Sequence, residues 1–170
     1  MTAGENIERH TLAVLVTNEP GVLARVIGLF SGRGYNIESL TVAEIDRENG
    51  LSRITLVTSG TRMIIDQIKA QLGRLVPIHR VRDLTEEGPF VGRELALVKI
   101  VGENGRRAEL LRIAESFSAR IVDSSESSYV FEVTESTEKV DQFLTMVGRL
   151  GRLEVARTGI VALSRGPESI

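Results

Sequence analysis

Apolar and polar positions alternate with two different periods along this chain, and the changes of period mark its elements. Leu12, Val14 and Val16 alternate with Ala13 and Leu15, which predicts a strand buried on at least one face. Asn18-Glu19-Pro20-Gly21 interrupts it. From Val22 to Arg33, apolar residues at 22, 23, 26, 27, 29 and 30 recur at helical spacing, and Gly32 and Gly34 end the helix. Tyr35 to Ile45 reads as a strand anchored by Ile37, Leu40 and Val42. A polar turn over 46–50 ends on Asn49-Gly50, a strong hairpin signal. Leu51 to Thr58 follows as a strand with Ile54, Leu56 and Thr58 on one face. Thr61 to Leu72 reads as a helix with Met63, Ile64, Ile65, Ile68 and Leu72 as its stripe. Val76 to Leu84 completes the set, with His79, Val81 and Asp83 opposite Ile78, Arg80 and Arg82.

This β-α-β-β-α-β order is the ferredoxin-like arrangement. Its helices cover one face of an antiparallel sheet, so the other face needs a partner or must be polar. Residues 85–92 read as a linker, centred on Thr85-Glu86-Glu87-Gly88-Pro89. The same order then returns with little shared sequence: a strand over 94–101, a helix over 106–118, a hairpin from 120–124 and 128–134, a helix over 138–150, and terminal strand over 153–156 and 158–163. The predicted fold class is therefore α+β. It has two ferredoxin-like βαββαβ domains, 10–84 and 93–166, preceded by a polar, disordered extension over 1–9.

Composition narrows the function. The chain has 170 residues, 21 basic and 23 acidic, for a net charge of −2. Residues 1–84 carry 10 basic and 9 acidic groups, and 85–170 carry 11 and 14. No broad basic field exists, which argues against a nucleic-acid partner. There is no Cys, which removes disulfides, thiolate catalysis and thiolate-bound zinc. His10 and His79 are the only histidines, too few for a multi-His metal centre. No apolar run approaches the ~20 residues that span a bilayer, and Met1 to Arg9 lacks a signal-peptide core. The chain reads as soluble and cytoplasmic, with no membrane association.

Catalytic signatures are missing: no nucleophile elbow, no complete phosphate loop, no His-Glu pair at metal spacing. Gly102 and Gly105 resemble part of a phosphate loop but lack its lysine. His10 and His79 read as surface or packing residues, and Asp46 and Glu48 as members of a solvated turn. The turn from Asn18 to Leu23 carries more chemistry. A helix N-terminus offers unpaired N–H groups and partial positive charge, a natural seat for a carboxylate. Gly21 permits close approach and Pro20 stiffens the turn. Asn18 offers both donor and acceptor. On the residues alone, an ordinary helix start remains the favoured reading of this turn.

Two longer stretches change that balance. Asn18–Ser31 (NEPGVLARVIGLFS) and Arg33–Val42 (RGYNIESLTV) resemble the ACT domain of the acetolactate synthase (acetohydroxyacid synthase) small regulatory subunit. Leu51–Thr55 (LSRIT) and Gln67–Val76 (QIKAQLGRLV) continue the resemblance. Arg93–Ile100 (RELALVKI) and Val155–Gly166 (VARTGIVALSRG) are similar to the opening and closing segments of that family's second domain. Pro20 departs from the family, where a Ser-Gly turn is common. The resemblance is to the single-repeat bacterial type rather than the duplicated plant type.

The resemblance implies a non-catalytic chain that binds a large catalytic subunit, activates it, and confers feedback inhibition by valine in branched-chain amino acid biosynthesis. It implies no cofactor on this chain, and thiamine diphosphate, magnesium and FAD on the partner. It also implies a homodimer whose ACT domains pair side by side, with valine at the interface. Asn18, Gly21, Val22 and Leu23 of one chain would face Asn36 and Ile37 of the other. The alternative from another class is a stand-alone ACT-type amino-acid sensor, or the ligand-binding module of a transcription regulator. That reading lacks a basic DNA-reading helix.

Overall fold

The computed structural model describes residues 6–102 and 104–170. Two compact units divide the chain: one runs to Val91 and also takes Ile160–Ile170, and the other is Gly92–Gly159.

In the first unit, β1 (Glu8–Thr17), α1 (Val22–Ser31), β2 (Ser39–Asp46), β3 (Leu51–Gly60), α2 (Arg62–Leu72) and β4 (Ile78–Asp83) follow the predicted order. The strands form an antiparallel sheet in the order β2-β3-β1-β4, which leaves β2 and β4 at its edges. The alternation in β1 sends Leu12, Val14 and Val16 to the helical side, where they are fully buried. Val22, Val26 and Phe30 of α1 and Ile65, Ile68 and Leu72 of α2 close over them. Each helix buries one position per turn, which is why the 3.6-residue stripe was readable. Thr61 caps α2 by accepting from the Ile64 amide at 3.4 Å. Met63, placed in the α2 stripe by spacing, is instead exposed.

Strict alternation fails in β4. The register with β1 shifts between Leu15 and Val16, pairing Leu15 with Arg80 and Val16 with Ile78. The irregularity absorbs His79, so Ile78 and Val81 both pack on the helical core. The sequence pattern had put them on opposite faces.

The second unit repeats the order. β5 (Phe90–Val101), α3 (Arg107–Ser116), β6 (Arg120–Ser124), β7 (Ser128–Glu135), α4 (Thr137–Val147) and β8 (Arg152–Arg157) form a sheet in the order β6-β7-β5-β8. Its core joins Val98 and Ile100 to Phe131, Val133, Val140, Phe143 and Val147. The rings of Phe131 and Phe143 meet edge to face with centroids 6.1 Å apart. The fold is thus α+β, with two antiparallel sheets and four α-helices among the described residues.

The expected second domain, 93–166, includes a closing stretch, residues 160–166, that clusters with the first unit. β9 (Val161–Ser164) pairs with β5, and the Arg165 amide donates to Pro89 O at 3.0 Å. Ile160 and Ala162 are buried against Ala13, Val57 and Leu84 on the sheet's outer face, flanked by Phe90 and Ile170. Thr41 Oγ1 donates to Ile160 O at 3.0 Å, and the Ile160 amide donates to Ser39 Oγ at 2.9 Å. The face opposite the helices is therefore covered by the chain itself. Of the expected 1–9 extension, residues 1–5 lie outside the described residues, and Glu8 and Arg9 already belong to β1.

Candidate functional site

The turn from Thr17 to Val22 is held at both ends. The Thr17 amide donates to Pro77 O at 2.8 Å and the Asn18 amide to Gly50 O at 2.7 Å. Gly21 is the N-cap of α1 with φ 86°, the left-handed region that glycine enters without strain. A Cβ added there would meet nothing within 4 Å, so the space beside it is open. α1 has no side-chain cap and no acidic residue in its first turn. Among the described residues, the Leu23 and Ala24 amides have no hydrogen-bond acceptor. Donors and partial positive charge thus converge on an open surface.

Asn18 is exposed, and its Nδ2 donates to Glu44 Oε1 at 3.2 Å. That bond orients the amide and leaves Oδ1 free to accept. Sequence reasoning missed Glu44, because it takes both the β1–β3 and the β2–β3 pairings to bring it beside a residue 26 positions earlier. Val22 is buried in the core and Leu23 is half-buried at its margin. Val22 is therefore a packing residue of α1, with its amide rather than its side chain on the turn.

Asn36 and Ile37 lie elsewhere. They follow α1 and precede β2, at the opposite end of the sheet. Asn36 O accepts from Thr58 Oγ1 at 2.7 Å, and Ile37 packs at the edge of the core. The registers give the separation. Ser39 aligns through Val57 with Thr11, whereas Thr17 aligns with Leu51. Six residues of strand lie between, about 20 Å. Within one chain the six expected residues form two groups that do not meet.

β2 lies at the sheet edge between these groups. Val42 and Ile45 are 46% and 53% exposed. An edge strand with apolar exposure offers its backbone to another strand.

Of the two histidines, His79 borders the turn and His10 pairs elsewhere. His10 is buried, 7% exposed, with Nδ1 2.8 Å from Asp83 Oδ2. His79 is exposed and its Nε2 lies 2.8 Å from Thr17 Oγ1. Beside the first pair, Lys69 Nζ reaches Glu86 Oε2 at 2.5 Å, Asp66 Oδ1 at 3.1 Å and Asp83 Oδ2 at 3.5 Å. Burial opposes the Lys69 charge, but its bonds to Glu86 and Asp66 and the charge of Asp83 raise its pKa above the ordinary value. The hydrogen bond and charge from Lys69 lower the Glu86 pKa. These groups tie α2 to the end of β4. Among the described residues no cluster of three or more His, Cys, Asp or Glu could hold a metal ion. No helix among them is long and apolar enough to cross a membrane.

Two family models account for most of the chain. Residues 12–80 match the AHAS small subunit-like ACT domain, and residues 93–166 match the small subunit of acetolactate synthase. The chain is 45% identical over 158 residues to the probable acetolactate synthase small subunit of Archaeoglobus fulgidus, covering 93% of this chain and 98% of that one. The chain belongs to the acetolactate synthase small-subunit family. It is 46% identical over 159 residues to the acetolactate synthase isozyme 3 small subunit of Escherichia coli, covering 93% and 96%. The crystal structure of the acetolactate synthase small subunit from Thermotoga maritima superposes with a TM-score of 0.82 at 35% identity, over 95% of this chain and 99% of that one. The small-subunit resemblance and the ACT reading of the first domain thus hold along the chain.

Proposed function

We propose that this chain is the non-catalytic regulatory subunit of an acetolactate synthase. In this reading it binds the large catalytic subunit in the cytoplasm, raises its activity and makes it sensitive to valine. It carries no cofactor, and thiamine diphosphate, magnesium and FAD belong to the large subunit.

What supports a valine site is that the two groups of expected residues lie at opposite ends of β2, an edge strand among the described residues. Antiparallel pairing of two β2 edges brings the Ser39 end of one copy to the Asp46 end of the other. Asn36 and Ile37 of one chain then approach Asn18, Gly21 and Leu23 of its partner, and two equivalent sites form. The Leu23 and Ala24 amides take the carboxylate of the amino acid. Asn18 Oδ1, held by Glu44, takes the ammonium. Leu23 and Ile37 line the aliphatic side chain, and Asn36 adds an amide contact. A zwitterion left unpaired in such a pocket would cost a few kcal/mol, so this pairing is required for binding.

A site shared by two chains couples occupancy to dimer geometry, which the large subunit can sense. Regulation requires such differential contacts between two states. The ligand portion is tested by calorimetric titration of valine, leucine and isoleucine into the purified chain. Valine binding with one site per chain is expected. Absence of heat with all three would overturn the assignment of the ligand.

A further inference from the structure

Three arginines share the outer face of the first sheet. Leu15 of β1 pairs with Arg53 of β3 on one side and Arg80 of β4 on the other, and Ala13 pairs with Arg82. Cross-strand partners point to the same face, here the one away from the helices. Arg82 is buried and neutralised, with Glu87 at 2.5 Å and Glu168 at 3.4 Å. The other two meet only carbonyl oxygens of the closing segment. Arg53 Nη2 donates to Ala162 O at 2.7 Å, and Arg80 Nη1 donates to Ser169 O at 3.2 Å. Among the described residues neither has a carboxylate within salt-bridge distance.

A pocket of about 460 Å³ opens between this face and residues 163–170. Ile45, Leu84, Leu163 and Ile170 supply apolar wall, Arg82 and Glu168 line it as a pair, and Arg53 is the one lining cation without a carboxylate partner among the described residues. We propose that this pocket binds a small organic carboxylate with a short aliphatic body, its carboxylate on Arg53 and its carbons against Leu84 and Leu163. Arg53 keeps Nη1 and Nε as donors after its bond to Ala162, enough for a charge-assisted pair. Burial first, and the charge of Arg82 second, hold the Arg53 pKa below its ordinary value, and a bound anion would offset the repulsion from Arg82. A monoanion suits one unpaired guanidinium, whereas Glu87 and Glu168 repel a dianion such as phosphate.

The pocket lies on the sheet face opposite α1, and of its lining only Ile45 belongs to the edge strand of the proposed dimer. The test is methyl NMR of the full-length chain, titrated with isovalerate and, separately, with isovaleramide. The acid is expected to shift the methyls of Ile45, Leu84 and Leu163, and the isosteric amide to leave them in place. Arg53→Gln is expected to weaken the acid at least about tenfold, and Arg53→Lys to recover part of the loss. The proposal is overturned if those methyls ignore the acid, if the amide shifts them equally, or if only Leu23 and Ile37 respond. The acid–amide contrast on the wild-type chain decides the matter without relying on the variants' folding.

Discussion

Gly21 sets the chemistry of the turn through its backbone. Its φ of 86° starts α1 without a side-chain cap and leaves amides facing open space. Asp tolerates this region better than most residues, so Gly21→Asp should fold with a cost near ~1 kcal/mol. Its carboxylate occupies the place assigned to the ligand's carboxylate. The expected result is loss of valine inhibition with activation of the large subunit retained, read from activity against valine concentration and a thermal melt. Unchanged inhibition would move the site elsewhere. The turn itself was legible because Asn, Pro and Gly restrict the backbone locally. The bond from Asn18 to Glu44 was not, because it depends on strand pairing.

Among the elements, α1, α2, α3 and α4 were readable from period, and the hairpins from their turn residues. β4 was not, since its irregularity at His79 is set by register against β1 rather than by its own sequence. The tie between α2 and β4 has a pH signature. Glu86 has a lowered pKa, so its contribution is present above the ordinary carboxylate value and is lost as pH falls through its folded value. Lys69→Met removes the shared partner while keeping the length of the side chain. It should lower the melting temperature at pH 7, and the gap to wild type should narrow below pH ~4. A gap constant between pH 7 and 3 would contradict the electrostatic account. β2 carries the dimer prediction. Val42 is half-exposed at the edge. Val42→Glu should set like charges against each other across paired edges and weaken self-association by about tenfold or more, measured by sedimentation. An unaltered dimer would show that the chains associate through another surface.

For the molecule as a whole, the repeat of βαββαβ units followed from element order, while the destination of the last residues did not. Ile160 and Ala162 are apolar positions at and just before a short strand, like many others. Only the uncovered outer face of the first sheet, with Ala13, Val57 and Leu84, explains where they bury. The sequence left that face either covered by a partner or polar. It carried no local signal that residues 160–170 would supply it.

At this scale the central claim is that the chain supplies recognition and leaves the chemistry to its partner. Reconstitution tests it most directly: the chain is mixed with its large subunit, acetolactate formation is measured, and valine is titrated. The expected result is a rise in activity on mixing and inhibition as valine is added, with no turnover of pyruvate by this chain alone. Mixing without activation or valine sensitivity, or pyruvate turnover by the isolated chain, would contradict it.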